Sequence, residues 1–246
     1  MSSFAHIEES YYQHDFLKSF NMVGERKRQE SWNKKRLERL QALCGDASQY
    51  SILDFGCGTG GFLEISQGHF KNLIGYDLSK SAVIEHQAAG WECTDSLDNL
   101  EIKVDIMTLF HVLEHVKEPW KLLSELILRF ESLTYIVIEV PNCQEALLSV
   151  FENEAYKKNF YSAGHLWYFN VETLGAVAHR AGLEVVAPSH LQRYSIANQI
   201  GWLKDNVGGG QDRWDYLNDA KLNDRYEELL IENGAADSVF LVCKVV

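Results

Sequence analysis

Residues 51–62, Ser-Ile-Leu-Asp-Phe-Gly-Cys-Gly-Thr-Gly-Gly-Phe, constrain the fold of this chain more than any other stretch. Ile52, Leu53 and Phe55 read as a short buried strand, with Asp54 near its carboxyl end. Gly56, Gly58 and Gly60 then make a turn where backbone can come close to a ligand, because no Cβ intervenes. Asp77 follows twenty-one positions after Gly56, at the end of a second apolar run, Asn-Leu-Ile-Gly-Tyr-Asp. A glycine turn after one strand and an acid after the next form a nucleoside site in a doubly wound α/β sheet.

The glycines alone also satisfy the dinucleotide pattern G-x-G-x-x-G. Asp54 breaks the tie. A dinucleotide lays its pyrophosphate on the helix N-terminus after this turn, where a carboxylate two residues before the first glycine repels it. S-adenosylmethionine has no phosphate, and its sulfonium and α-ammonium cations suit an acid there. Asp77 would accept hydrogen bonds from ribose hydroxyls in either case.

On these residues the chain resembles the class I S-adenosylmethionine-dependent methyltransferases, whose first motif is an acid, one residue, then Gly-x-Gly-x-Gly. Asp54, Gly56, Gly58 and Gly60 match it. The resemblance implies S-adenosylmethionine as cofactor and S-adenosylhomocysteine as product, held also by Cys57 and Leu78. It further implies a Rossmann-like sheet of about seven mostly parallel strands, with an antiparallel last strand inserted beside the fifth.

Strand and helix alternate along the chain, as parallel βαβ units require. Strands are expected at 51–55, 72–77, 91–94, 104–110, 134–140, 183–188 and 238–246. Helices are expected at 61–69, 79–89, 118–131 and 171–181, with Ser79 and Asn170 as N-caps and Pro119 in a first turn. Residues 1–45 read as a helical N-terminal segment that closes the cofactor site, and 46–246 as the methyltransferase domain. Two acceptor-side insertions are expected, an aromatic-rich one at 141–170 and a second at 189–236. The second holds a short helix from Ile196 to Leu203, a triple glycine at 208–210, and a long polar helix from about Arg213 to Glu232. A Gly-Gly turn is common before the fifth strand in the resembling family; here Arg129 to Thr134 contain no glycine.

The net charge of −12 argues against a large polyanion such as nucleic acid as partner. One segment dissents, with Arg26, Lys27, Arg28, Lys34, Lys35, Arg36 and Arg39 clustered before the first strand. Glu25, Glu30 and Glu38 are interleaved, so a solvated helix face is the expected reading. No apolar run approaches the roughly 20 residues that span a bilayer, and the N-terminus lacks a signal-peptide core. The five cysteines are scattered, as expected of reduced thiols in a cytoplasmic protein.

Further cofactor contacts follow from the resemblance. Asp95, after the third strand, matches loosely an acid that accepts from the adenine amino group; a plain turn role is equally open. Phe110 and His111 follow the fourth strand, in a match to that family's strand-four signature, and should lie near the adenosine and sulfonium. Tyr12, beside Tyr11, either closes the cofactor pocket or packs. His111 and His115 have the i,i+4 spacing of a zinc pair, but no third ligand is nearby in the sequence, so no metal site is expected.

Methyl transfer is an in-line displacement at an already activated carbon, so the protein mainly aligns reactants and excludes water. A hydroxyl acceptor must lose its proton as the bond forms, and a positioned His is the usual base. The catalytic candidates are His165 and His111, with His115 more suited to fixing its loop. His165, in Ala163-Gly164-His165-Leu166-Trp167-Tyr168-Phe169, resembles a His-x-x-x-Phe stretch in methyltransferases of bacterial surface-polysaccharide pathways. It reads equally as a structural loop histidine. Residues 192–204 resemble that group too, which implies substrate contacts from Arg193, to a phosphate or carboxylate, and from Tyr194 and Asn198. Read alone, these three need be no more than surface residues of an amphipathic helix.

The reading is therefore a methyltransferase acting on a hydroxyl, in preference to an amine, of a small polar, sugar- or phosphate-bearing precursor of surface polysaccharide. An RNA or protein methyltransferase and a non-catalytic cofactor-binding regulator are the alternatives.

Overall fold

The computed structural model describes residues 21–98, 100–161 and 164–246. One seven-stranded sheet organises them, in the order β3-β2-β1-β4-β5-β7-β6. The strands are β1 (Ser51–Phe55), β2 (Asn72–Tyr76), β3 (Cys93–Thr94), β4 (Ile106–Phe110), β5 (Tyr135–Pro141), β6 (Leu183–Leu191) and β7 (Ser238–Val245). β1 to β5 pair in parallel, and β7 runs antiparallel between β5 and β6, as the resemblance implied. The chain winds outward from β1 through β2 to β3, then crosses back to β4. The carboxyl ends of β1 and β4 therefore flank the switch point where ligands bind in such sheets.

Nine helices accompany the sheet among the described residues: α1 (Met22–Cys44), α2 (Gly61–Ser66), α3 (Lys80–Ala88), α4 (Pro119–Arg129), α5 (Ala146–Ser149), α6 (Glu154–Phe160), α7 (Val171–Arg180), α8 (Ile196–Asp205) and α9 (Ala220–Glu232). The expected starts hold for local reasons. Ser79 caps α3 through Ala82 N, Pro119 opens α4, and Asn170 and Thr173 form a capping box on α7. The long polar helix expected from Arg213 is interrupted. Asp215–Leu217 form a 3₁₀ turn, and Asp219 then accepts a hydrogen bond from Leu222 N, so α9 begins only at Ala220. Asx side chains that bond nearby backbone favour such restarts.

The sheet separates two apolar layers. Leu53, Phe55, Met107, Ile136 and Ile138 pack on one face with Leu122, Leu123, Leu126 and Leu174 of α4 and α7. Ile52, Ile106, Val137 and Val242 pack on the other with Leu37 and Leu40 of α1. Side chains alternate between faces along each strand. Two residues further along, the α1 face therefore carries Asp54 on β1, Thr108 on β4 and Glu139 on β5. An apolar layer turns polar toward the strand ends, beneath α1.

α1 is only in part the solvated basic face expected from its sequence: Lys27, Arg28 and Lys34 are exposed, whereas Arg26, Lys35, Arg36 and Arg39 turn inward. Arg36 is buried and grips Glu139 with two parallel hydrogen bonds, Nε to Oε2 at 2.7 Å and Nη2 to Oε1 at 2.8 Å. Arg26 reaches Glu64, Glu85 and the Thr59 carbonyl, and Arg39 reaches Ser189 and the His190 carbonyl. Lys35 pairs with Glu227, Arg28 with Glu25, and Lys34 with Glu30. Arg36 and Arg39 tie α1 to the sheet and Lys35 ties it to α9. No helix among the described residues is long and apolar enough to cross a membrane.

Candidate functional site

Two cavities open at the carboxyl ends of the strands. The first, about 540 Å³, is walled by the β1 turn (Asp54, Gly56, Cys57, Gly58), by Phe110 and His111, and by Gln29, Trp32, Asn33 and Arg36 of α1. The second, about 570 Å³, is walled by Glu114, Glu145, Tyr156, Phe160, Gln192, Asn198, Trp202, Tyr226 and Asp237, among others. Arg28, His111, His165, Arg193 and Tyr194 line both, so the cavities meet at these side chains.

The glycine turn is held tightly. Gly56 N and Cys57 N both donate to the Tyr76 carbonyl, and Gly58 N donates to Asp77 Oδ2 at 2.8 Å. Gly56 has φ +79°, and a Cβ there would stand 2.6 Å from Val112 Cγ2. Gly60 has φ +76°, with His86 and Trp91 as close. Only glycine satisfies both the handedness and the space. Asp54 is buried and accepts from Thr108 Oγ1 at 2.7 Å. Burial pushes its carboxyl up to about 6, against the pull of Thr108 and Arg36. Asn33 Nδ2 is a buried donor in the same wall with no partner among the described residues, its Oδ1 being fixed by Arg36.

The remaining expected cofactor residues separate. Asp77 spans the backbone amides of Gly58 and Ser79, and each carboxylate oxygen keeps a second lone pair for a ligand hydroxyl. Gly60, Asp77 and Leu78 stand outside the cavity wall. Asp95 is exposed and outside it too, which favours its turn role. Tyr12 lies outside the described residues.

The two catalytic candidates also part. His111 sits in the left-handed region at φ +59°. Its Nδ1 is 3.1 Å from Glu114 Oε1; its Nε2 is 3.0 Å from both Glu139 Oε1 and Arg193 Nη1. Both ring nitrogens are engaged, so His111 bridges the buried carboxylates of Glu114 and Glu139. Burial would raise the Glu139 carboxyl, but Arg36 and His111 hold it well below the usual range. His165 differs, since its Nδ1 is buried with no hydrogen-bond partner among the described residues. Burial lowers its pKa below the usual histidine value, which outweighs the opposing pull of Glu114.

Arg193 was expected to meet an anionic acceptor. Its Nε donates to Asp237 Oδ1 and its backbone N to Oδ2, both at 2.9 Å. Asp237 thus pairs with that charge, while the side chain still lines both cavities. Tyr194 packs edge-on to Trp32 at 5.1 Å between ring centres, in the wall shared by the cavities. Asn198 lines the second cavity, but its Oδ1 accepts from Gly209 N and braces the glycine loop.

Several residues of the site escaped the sequence reading. Glu139, buried behind the cavity walls under Arg36 and His111, was detectable as a lone acid inside the apolar run Tyr135-Ile-Val-Ile-Glu-Val. Glu114, Glu145 and Asp237 carry no such mark. Burial, with Asp237 adding to it, pushes the Glu145 carboxyl up to about 8, which favours its protonated form at neutral pH; its Oε2 accepts from Leu147 N.

A family model described as a methyltransferase domain matches residues 25–187. No curated protein matches the sequence significantly. Among solved structures, the chain is similar to an S-adenosylmethionine-dependent methyltransferase from Archaeoglobus fulgidus, at 19% identity and TM-score 0.53, over 86% of this chain and 94% of that one. It is similar to a methyltransferase solved with its methyltransferase activator from Haloferax volcanii, at 13% identity and TM-score 0.60, over 94% and 97%. It is also similar to the plantazolicin methyltransferase solved with a desmethyl analogue and S-adenosylhomocysteine, at 19% identity and TM-score 0.55, over 96% and 93%. At these identities the likeness establishes the fold.

Proposed function

The chain belongs to the family of methyltransferase domains, and we propose that its two joined cavities receive S-adenosylmethionine and a small polyhydroxylated acceptor, methylated on a hydroxyl. The enzyme is an S-adenosylmethionine-dependent methyltransferase. The first cavity fits that cofactor on its own chemistry. Asp54 offers a buried carboxylate to its cations and Asn33 Nδ2 an unpartnered donor to its carboxylate, while Asp77, outside the wall, fixes the glycine turn through Gly58 N. When bound, the cofactor supplies an activated methyl carbon on sulfur.

The observation that carries the reading is the shared wall of the two cavities, where His165 stands with an unpartnered ring nitrogen. Reactants approaching from the two sides meet there, and the acceptor hydroxyl comes against His165. The second cavity supports a neutral, hydroxyl-rich acceptor. Its lining mixes aromatic faces (Tyr156, Phe160, Trp202) with amides and a protonated Glu145, while both arginines in it are paired with acids. α1 walls the first cavity. The pairing of its cations with protein acids also supports a small molecule over nucleic acid. A sugar precursor of surface polysaccharide remains the acceptor suggested by residues 165–169 and 192–204.

Calorimetric titration with S-adenosylhomocysteine, with NAD⁺ as control, followed by a methylation screen of nucleotide sugars and free polyols, tests this. Micromolar binding of the first ligand alone is expected, with a hydroxyl-bearing acceptor among the hits. His165→Ala should keep that binding and lower turnover by roughly 10²-fold or more. Unchanged turnover in this variant removes His165 from the reaction.

A further inference from the structure

We propose that Glu114, His115 and His165 bind a divalent first-row transition-metal ion at the junction-side wall of the second cavity. Glu114 and His115 lie on the 3₁₀ turn that follows β4, and His165 comes from the segment between α6 and α7. One ligand atom from each lies within 4.8 Å of the others. Backbone holds the two segments together: Leu166 N and Trp167 N both donate to the Glu114 carbonyl, at 2.8 and 3.2 Å.

Two of the three residues present unanswered atoms. Glu114 is 1% exposed, yet its Oε2 has no hydrogen-bond partner among the described residues, and neither has His165 Nδ1. A buried carboxylate oxygen left unpaired is costly and points to a missing ligand. The third residue is oriented as metal-binding histidines are. His115 Nδ1–H donates to the Gly164 carbonyl at 2.7 Å, which fixes the tautomer with the lone pair on Nε2, 4.0 Å from Glu114 Oε1. His111 Nδ1 lies on the other side of the same Oε1 and orients the carboxylate from behind.

Two imidazoles and one carboxylate without a thiolate suit Zn²⁺, Fe²⁺, Co²⁺ or Mn²⁺, rather than the all-oxygen shells of Ca²⁺ and Mg²⁺. Metal–ligand bonds of about 2.0–2.2 Å require the ligand atoms to close to roughly 3.3 Å of one another, a side-chain adjustment. Three protein ligands leave coordination positions open, and all three residues face the second cavity. The inference rests on the acceptor reading above. An acceptor oxygen in an open position is drawn into line with the methyl carbon and loses its proton to solvent more readily. His165 then acts as a ligand rather than as the group that takes the proton.

The test uses chelator-treated protein titrated with Co²⁺, followed by its visible absorption and by calorimetry, with S-adenosylhomocysteine affinity measured alongside. One bound equivalent is expected. His115→Ala and His165→Ala should each weaken it tenfold or more with the circular dichroism spectrum, the check on folding, unchanged, and His115→Ala, at a residue that lines the second cavity and not the first, should leave cofactor-product affinity unchanged. Glu114→Gln keeps the shape and should weaken Co²⁺ binding likewise. Absence of binding by the wild-type protein, or undiminished binding by the His115→Ala/His165→Ala double variant, overturns the metal site. Loss of S-adenosylhomocysteine binding with Co²⁺ binding retained would instead strike the cofactor reading and leave the metal site standing.

Discussion

Asp54 illustrates how a single buried acid couples affinity, stability and pH. Its carboxyl, near 6 in the folded protein against an ordinary 3.8, keeps a proton that the unfolded chain releases between those values. Its contribution to stability is therefore full below about pH 4 and lost as pH rises through 6. Asp54→Asn should raise the melting temperature of the ligand-free protein at pH 8 and weaken S-adenosylhomocysteine binding by about 10- to 100-fold. In the proposed binding mode the ammonium of that ligand would select the ionised acid. Affinity should then fall by up to about tenfold per pH unit below pH 6, read by calorimetry at pH 5 and 7. A flat profile would separate Asp54 from the ligand's charge.

At the scale of elements, α1 is a wall of the first cavity clamped by one buried ion pair. Arg36 and Glu139 are 6% and 0% exposed, and His111 shares the same carboxylate. Removing one partner of a buried pair leaves an uncompensated charge, so Arg36→Ala should destabilise by about 3–5 kcal/mol in urea unfolding. Replacing both, as Arg36→Met with Glu139→Leu, should recover much of that stability, because the cost lies in the orphaned charge. Equal losses in single and double variants would refute this. The glycine turn is a second element-scale constraint. Gly56→Ala forces a methyl into Val112 and a left-handed backbone, the latter alone costing about 1–2 kcal/mol.

Across the whole molecule, the second cavity is assembled from segments far apart in the chain, and Asp237 joins them. At the start of β7 it accepts from the backbone of Arg193 and Tyr194 and from the Arg193 side chain, while its own N–H donates to Gln192 Oε1. These bonds hold residues 192–194 against the sheet at the junction. Asp237→Asn should therefore raise the KM of the acceptor by roughly tenfold, by loosening an aligned wall, while S-adenosylhomocysteine binding stays within about twofold. An equal loss of cofactor-product affinity would show that Asp237 supports the first cavity as well.

The parts legible from the amino-acid order were those written in local periodicity and spacing. The β1 turn, Asp77, the caps at Ser79 and Asn170 and the strand–helix alternation depend on neighbours within a few residues, and the structure keeps them. Their recognition also brought the antiparallel β7, which periodicity alone does not reveal. Tertiary structure decided what long-range pairing decides. It turned Arg26, Lys35 and Arg36 of the basic stripe of α1 inward, because acids from β5, α2, α3 and α9 meet them there. It engaged both nitrogens of His111, which the sequence left equal to His165. It brought His165 to Glu114 and His115 across some fifty residues, through two backbone hydrogen bonds that no spacing rule anticipates. A motif of adjacent residues is set by the geometry of one turn, whereas a charge's partner is set by which distant element the folded sheet places opposite it.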